Sequence, residues 1–303
     1  MNRAFILILL GAALWGTIGW YVKNLYVFGF TPMEVVTLRA WSSALLLVGY
    51  LTIIAPAKLK LSKLIDINYF LGTGILSIIF FNYCMFTAIE QSTLPVATAL
   101  LYTAPAFVTI LSFFLFREVL NYMKIIALSI TLLGTCLVVG LIPLNIPSIP
   151  FSSILFGIGS AIGYALYSIF SKFALNKYSS ITITTYTFVI ASLALIPFFP
   201  YQEKFHLLIE PMILFYAFGL GFLPTAFAYI VYTHGLQQTE ASKASILTTV
   251  EPVVATLIGI FIFNEEFSSM QMLGMLCIIS AVIIIQLSMK QSIHFKPKKA
   301  QIK

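Results

Sequence analysis

The chain has 303 residues, of which 60% are hydrophobic and only 9% are charged, and its formal net charge is +7. Its mean hydropathy is +1.01. Such a composition excludes an ordinary soluble domain, in which about 25% of residues are charged. The cysteines Cys84, Cys136 and Cys277 lie in apolar stretches without metal or disulfide spacing, so we interpret them as packing residues.

Ten apolar stretches follow one another along the chain, each close to the roughly 20 residues that a membrane-spanning helix needs. We predict ten transmembrane helices, near residues 4–22, 32–54, 68–89, 94–116, 123–142, 152–172, 179–200, 211–233, 241–263 and 270–289. The fifth and sixth are separated by a predicted break at Pro143–Pro150. The first could instead be a secretory signal led by Arg3, but its length and aromatic content favour a membrane helix.

Basic residues are distributed unequally between the two sides of this arrangement. With an even number of spans both termini share a side, and the opposite side has only Lys23 and Lys204, with Arg39 inside a span. The positive-inside rule therefore predicts a multi-pass cell-membrane (plasma or inner membrane) protein with cytoplasmic N- and C-termini and a basic cytoplasmic tail at 290–303. The fourteen basic residues on the shared side are Arg3, Lys58, Lys60, Lys63, Arg117, Lys124, Lys172, Lys177, Lys243, Lys290, Lys296, Lys298, Lys299 and Lys303.

The second half of the chain repeats the first. In the first half the matching residues are Phe81, Tyr83, Phe86, Gln91, Thr93, Pro105 and Phe116-Arg117-Glu118. Their counterparts are Phe227, Tyr229, Tyr232, Gln237, Thr239, Pro252 and Phe263-Asn264-Glu265, at an offset of 146 residues that becomes 147 after Pro95. Trp15 and Lys23 similarly match Tyr164 and Lys172 at an offset of 149.

Five spans in each unit make the second unit enter the membrane from the opposite side. We therefore predict an all-α polytopic membrane protein, with ten transmembrane helices arranged as two inverted five-helix repeats at 4–142 and 152–289. Both Lys23 and Lys172 then lie at helix ends, on opposite faces, where each can extend to water. Inverted repeats of this kind are typical of carriers that expose a central site to each side in turn.

Short motifs strengthen this interpretation. They are Ala13-Leu14-Trp15-Gly16, Pro105 with Phe116-Arg117-Glu118, Pro252 with Phe263-Asn264-Glu265, and Gly274. With this spacing the chain resembles a ten-helix member of the drug/metabolite transporter superfamily, of the EamA type. The resemblance implies an exporter or exchanger of small polar metabolites, in which spans one to four and six to nine surround a central cavity. It also implies that spans five and ten lie outside the cavity and brace each half.

Glu251 is the foremost candidate for a functional residue. It lies about ten residues into the ninth span, near mid-membrane, where an ionised carboxylate costs several kcal/mol. Pro252 has no amide hydrogen, which predicts a loosened helix and a free carbonyl at Thr248. We interpret Glu251 as a ligand for a substrate amine or as a proton acceptor; the alternative is a protonated structural hydrogen-bond donor.

Arg39 is the second charged candidate, roughly two turns into the second span. Its forked donors suit a substrate carboxylate. Equally, it could extend outward beside Glu34 or form a fixed internal ion pair, and the sequence slightly favours such a structural role. If both Arg39 and Glu251 reach the cavity, an amino-acid-like solute would suit them.

Aromatic residues inside the spans provide candidate walls for the site. We predict substrate contacts for Trp15, Tyr83, Tyr102, Tyr164 and Tyr229, with an amide contact from Asn82, and helix breaks at Pro105 and Pro252. The alternative for each aromatic residue is core or lipid contact. His234 and Lys243 are interpreted as residues at the boundary of the membrane.

These observations together predict a secondary active transporter that exports a small polar metabolite, either an amino-acid-like solute or a drug. Alternating access would be coupled to protons or to exchange. The expected partners are the solute, the lipid bilayer and protons, and the chain would be a monomer or a homodimer without a cofactor, metal or nucleic acid. A membrane enzyme is disfavoured because Asp66 is the only aspartate, and Ser160 and His234 are predicted at different depths. A channel would need rings of charge or a filter segment.

Overall fold

The computed structural model describes residues 3–141, 149–266 and 268–294. In this part of the chain, nine helices are long and apolar enough to span a membrane, and a tenth apolar helix is shorter. We label them α1 to α10: Arg3–Val27, Pro32–Ile54, Leu64–Gln91, Leu94–Phe116, Tyr122–Val138, Phe151–Ala174, Ser180–Phe198, Pro211–Gln237, Ala241–Phe263 and Ser269–His294. The predicted break at 143–150 falls mostly on residues outside the description. The tail predicted from residue 290 begins as the end of α10, and residues 295–303 also lie outside the description.

The boundaries of the helices follow from local capping chemistry. At the start of α2, Pro32 occupies the first turn and the Glu34 carboxylate accepts a hydrogen bond from the Thr31 amide at 2.9 Å. At the start of α5, the Asn121 side chain accepts a hydrogen bond from the Lys124 amide at 2.9 Å. These caps satisfy amides that the helix itself leaves unpaired. The predicted all-α architecture of ten helices is confirmed.

Regular helix is interrupted at equivalent places in the two halves. α4 breaks between Leu101 and Ala104, and α9 breaks between Leu247 and Val250, in each case just before the predicted proline. α3 and α8 each contain a π-helical segment, at Gly72–Ile79 and Phe222–Phe227. Such segments are rare and cluster at functional sites.

One detail of the predicted break in α9 is wrong. The Thr248 carbonyl does not remain free, because it accepts a hydrogen bond from the Glu251 amide at 2.9 Å. The helix tightens to a shorter hydrogen-bond spacing at this point instead of leaving an acceptor unpaired. The Glu251 side chain therefore projects from a well-defined turn.

The helix ends that follow these breaks are also equivalent. Arg117 at the end of α4 and Asn264 at the end of α9 both have φ 53°, the left-handed conformation that closes many helices. The next amide then bonds back to the helix, from Glu118 to Ser112 at 3.2 Å and from Glu265 to Gly259 at 3.1 Å. The same backbone geometry therefore orients both Glu118 and Glu265.

Most of the extensive helix packing occurs between the two halves. α1 packs against α8 and α9, and the equivalent helix α6 packs against α3 and α4. α2 packs against α7, and α5 packs against α10. Spans five and ten, which were expected to brace each half, make their most extensive contacts with one another, and α10 also packs against α9. α5 and α10 pack against each other, because Gly134 and Gly274 let their backbones approach to the point where a Cβ at Gly134 would lie 2.9 Å from the Gly274 carbonyl.

Candidate functional site

Glu251 lies in the first turn of α9 after its break. Its carboxylate accepts a hydrogen bond from the Tyr164 hydroxyl of α6 at 3.1 Å. Arg39 of α2 and Tyr102 of α4 interact electrostatically with the same carboxylate. Four helices drawn from both halves therefore meet at one ionisable group.

Arg39 is buried at this meeting point, with 6% of its surface exposed. Its guanidinium interacts with the Tyr229 hydroxyl and with Glu251, while its Nε has no hydrogen-bond partner in the described part of the chain. Glu34 pairs instead with Lys204 at 2.6 Å. Of the predicted alternatives for Arg39, the structure therefore shows the internal position and not the outward one.

An aromatic cluster surrounds these charges. The ring of Trp15 lies 4.9 Å from those of Tyr229 and Tyr232 and 6.1 Å from that of Tyr164, measured between centroids. Tyr167 meets Tyr229 edge to face at 4.8 Å. The tyrosines converge because residues three apart share a helix face, both on α6 and on α8. These ring contacts pack the walls of the site against one another.

A close approach of α1 to α9 places this cluster beside Glu251. A Cβ at Gly16 would lie 2.7 Å from the Cβ of Val254 and 2.8 Å from the Glu251 carbonyl oxygen. No side chain fits there, so glycine is required after Trp15. Close packing of α1 against α9 therefore explains the glycine in the short motif at residues 13–16.

A cavity of about 10 Å³ lies within the aromatic cluster. It is lined by Trp15, Ser77, Phe81, Tyr164, Tyr167, Ser168, Tyr229 and Tyr232. This space holds about one water molecule. The Trp15 Nε1 is buried without a hydrogen-bond partner in the described residues, so it offers a free donor to whatever occupies the cavity.

Five of the lining residues, namely Ser77, Phe81, Tyr167, Ser168 and Tyr232, were not predicted as site residues. Ser168 bonds Tyr232 at 2.6 Å and Tyr167 bonds Thr233 at 2.8 Å, which joins α6 to α8. Two signals in the sequence point to four of them. Tyr167 and Ser168 follow a predicted site tyrosine by three and four residues, and Phe81 and Tyr232 belong to the repeated motif; no signal points to Ser77.

Two predicted residues are not brought into the site. Tyr83 is 53% exposed and meets only the ring of Phe156 among aromatic neighbours, while the Asn82 amide donates to the carbonyl of Ile78 in its own helix at 2.7 Å. Phe81 takes their place and lies 5.6 Å from Tyr164. Successive helical residues point about 100° apart, so membership of a repeated motif does not determine which of them faces inward.

A wider cavity opens toward one end of the bundle, which we call the Glu265 face because Lys23 and Glu265 lie there. Its volume is about 310 Å³, and it is lined by residues of α1, α4, α5 and α9. It extends to Tyr102 and Pro252, which places its inner end beside Glu251. A small molecule entering from the Glu265 face would therefore approach the half-buried Glu251 carboxylate.

The opposite end, which we call the Glu118 face, is closed by hydrogen bonds: those of Glu118 join the two halves, and those of Lys172 lie within the second half. The Glu118 carboxylate accepts from the amides of Ala241 and Ser242 at 2.6 and 3.1 Å and from the Ser242 hydroxyl. Lys172 donates to the carbonyls of Leu236 and Thr239. Lys172 therefore does not simply extend to water, as predicted, but binds the α8–α9 connection.

A cluster of charges reinforces this closure. Lys124 is 1% exposed and pairs with Glu240, which also pairs with Lys243 at 3.2 Å. Burial favours a raised pKa for Glu240, but the two lysines outweigh it and lower the pKa of this carboxyl. Lys243 is thus a buried ion-pair partner and not the boundary charge that was predicted.

The hydrogen bond from Tyr164 to Glu251 gives a first test. In Tyr164→Phe the carboxylate loses its donor, and we expect the half-saturating concentration of a transported solute to rise about 10-fold, the value of one hydrogen bond to a charged group. The matched control is Tyr83→Phe, in which the hydroxyl is removed from an exposed ring. Initial rates of uptake into reconstituted vesicles would measure both. Equal effects from the two variants would contradict the site as described.

Comparison with known proteins agrees with this architecture. The model of the EamA-like transporter family matches residues 2–140 and again residues 151–287. A solved crystal structure covers 95% of the chain, and 98% of that structure is matched, with a TM-score of 0.78 at 16% identity. At this identity the likeness shows a shared fold.

Related proteins are named as transporters. An uncharacterized transporter of Archaeoglobus fulgidus is 31% identical over 282 residues, which is 91% of this chain and 94% of the relative. An uncharacterized inner membrane transporter of Salmonella typhimurium is 25% identical over 301 residues, or 96% of this chain and 97% of the relative. The chain is a multi-pass membrane transporter and belongs to the EamA-like transporter family.

Proposed function

We propose that the chain exports a small polar metabolite, either an amino-acid-like solute or a drug, by alternating access coupled to protons or to exchange. The observation that carries this proposal is the half-buried Glu251 carboxylate, which accepts a hydrogen bond from Tyr164 and interacts electrostatically with Arg39 where the two halves meet. A carboxylate at this depth is expensive unless it serves a cation, a proton or a polar ligand.

The orientation follows from the distribution of basic residues. The positive-inside rule assigns the Glu118 face to the cytoplasm and the Glu265 face to the outside. On that assignment the observed state is open outward through the 310 Å³ cavity and closed toward the cytoplasm. The exporter would release its solute in this state.

The chemistry of the site fits a solute with separated charges. Glu251 would receive an amine, Arg39 would receive a carboxylate, and Trp15 with Tyr102 would contact the apolar part. The cavity of about 310 Å³ lies within the range of about 300–1,000 Å³ that small-molecule sites occupy. The inner cavity of about 10 Å³ has to widen before a solute occupies it.

Coupling would arise from competition at Glu251. A proton and a substrate amine each neutralise the same carboxylate, so one is released when the other binds. In exchange, a second solute would replace the proton. In both modes, the transporter has to switch between its outward-open and inward-open states less readily when the site is empty and ionised than when it is occupied.

The test is a search for the solute followed by a flux measurement. Pools inside and outside cells that overproduce the chain would be compared, and each enriched compound would be tested in reconstituted vesicles. We expect saturable uptake and counterflow for at least one amine-bearing metabolite. A linear flux that no compound competes with would support a channel instead, and binding without flux would exclude transport of the tested solute.

A further inference from the structure

We propose that Lys23 and Glu265 close the Glu265 face in the transporter's other state, by docking onto the α3–α4 connection instead of pairing with each other. This inference rests on the proposed alternating access. The inference goes beyond alternating access because it names the residues that close the second face. It also states which contacts these residues lose and gain when that face closes.

The closure already visible at the Glu118 face supplies the pattern. There the Glu118 carboxylate binds the first amides of α9, and Lys172 binds the carbonyls of Leu236 and Thr239 at the end of α8. An anion thus meets the positive end of one helix, and a cation meets the carbonyl end of the helix before it. The α8–α9 connection is therefore bound at both of its ends.

The repeat places the same groups at the other face. Glu265 is the counterpart of Glu118, and Lys23 is the counterpart of Lys172. The residues that Lys172 binds correspond to Glu90 and Thr93, at the end of α3 and the start of α4. The left-handed residue and the returning amide bond that orient Glu118 recur unchanged before Glu265.

In the observed state these groups are not docked. Lys23 and Glu265 pair with each other, and their side chains remain 51% and 52% exposed. Leu94 and Pro95 line the same cavity, so it separates the pair from the start of α4. An exposed ion pair contributes little to stability, so replacing it with docked contacts costs little free energy.

The two closures differ in one donor. Glu118 binds the amide and hydroxyl of Ser242. When the first residues of α4 and α9, Leu94 and Ala241, are aligned, Ser242 corresponds to Pro95, a residue without an amide hydrogen. Glu265 would then have the amide of Leu94 and the hydroxyl of Thr93 as its donors. The closure at the Glu265 face is therefore the weaker of the two, which agrees with the observed state, in which that face is open.

The experiment reads the state of the cavity directly. In full-length protein whose three cysteines are replaced by alanine, a Thr98→Cys variant places a thiol in the wall of the 310 Å³ cavity. Its rate of labelling by a maleimide measures how often the Glu265 face is open. We expect Glu118→Gln to lower this rate about 10-fold, the shift that one charge-assisted hydrogen bond supplies. Pro95→Ser should lower it as well, since it adds a donor to the weaker closure.

The decisive variant exchanges the two charges. Lys23→Glu combined with Glu265→Lys keeps the ion pair of the observed state but reverses both docking contacts. We expect labelling to remain high and counterflow to fall at least about 10-fold, whereas Lys23→Arg should behave as the unmodified protein. Normal flux in the charge-swapped variant would overturn the docking proposal while leaving transport intact.

Failure of the two proposals would look different. If labelling responds to Glu118→Gln and Pro95→Ser but no solute is transported by any variant, the proposed function fails and the gating stands. If labelling is the same in all variants that elute as folded protein in gel filtration, the docking proposal is wrong. Pro95 donates no backbone hydrogen bond, so Pro95→Ser breaks none, and this variant guards against loss of folding.

Discussion

Replacing Glu251 with glutamine is expected to abolish coupled transport while the protein still reaches the membrane. Glutamine has nearly the same size, so the aromatic cluster keeps its packing, but the site loses its negative charge. The site then has no group that can take up a proton or pair with a substrate amine, and Arg39 loses its electrostatic interaction with the carboxylate, so we expect the rate to fall at least about 30-fold, which corresponds to about 2 kcal/mol. The measurement is the initial rate of uptake into reconstituted vesicles across a range of imposed pH gradients.

Two further variants make this result interpretable. Glu203→Gln removes a carboxylate from an exposed position in the α7–α8 connection, and we expect no effect from it. Glu251→Asp keeps the charge but shortens its reach to Tyr164, so it should lower the rate without removing the dependence on the gradient. If Glu251→Gln instead retains both its rate and its pH dependence, Glu251 is neither the coupling group nor the amine ligand.

Arg39→Leu is expected to have the second largest effect, and to act on folding as well as on transport. It leaves the half-buried Glu251 carboxylate without the cation that interacts with it, which costs about 1–3 kcal/mol. We therefore expect less protein in the membrane and a lower unfolding temperature for the solubilised protein. Adding Glu251→Gln to the same chain removes the orphaned charge and should restore the amount of protein.

Transport by the double variant separates the two roles of Arg39. We expect it to stay inactive toward solutes that carry a carboxylate, because the group that would receive the carboxylate is missing. The control is Lys204→Leu, which breaks the ion pair with Glu34 away from the site and should leave solute selectivity unchanged. Recovery of normal selectivity in the double variant would show that Arg39 has a structural role only.

Much of the fold follows from the sequence through the physics of the bilayer. The backbone in hydrocarbon has to satisfy its own hydrogen bonds, so every long apolar stretch becomes a helix of nearly predictable length. The predicted spans 32–54, 94–116 and 241–263 coincide with α2, α4 and α9. Pro105 and Pro252 also indicated where α4 and α9 depart from regular helix, although each break begins a few residues earlier.

The candidate site was only partly predictable. Glu251 and Arg39 were found because an ionisable residue inside an apolar span is unusual wherever it points. Aromatic residues give no such signal, since tyrosine suits lipid interfaces, cores and binding sites alike. Tyr83 and Tyr229 occupy equivalent positions in the repeat, yet one is exposed and the other packs against Trp15.

The sequence by itself determined the number of helices, their order and the two-fold repetition, because these depend on hydropathy and spacing along the chain. Only the tertiary structure decided which face of the bundle is closed. Glu118 and Glu265 stand in identical local geometry, but one binds the start of α9 and the other meets Lys23 beside an open cavity. Which face is closed depends on how the two halves pack against each other. That packing is set by side-chain contacts between residues more than a hundred positions apart in the chain.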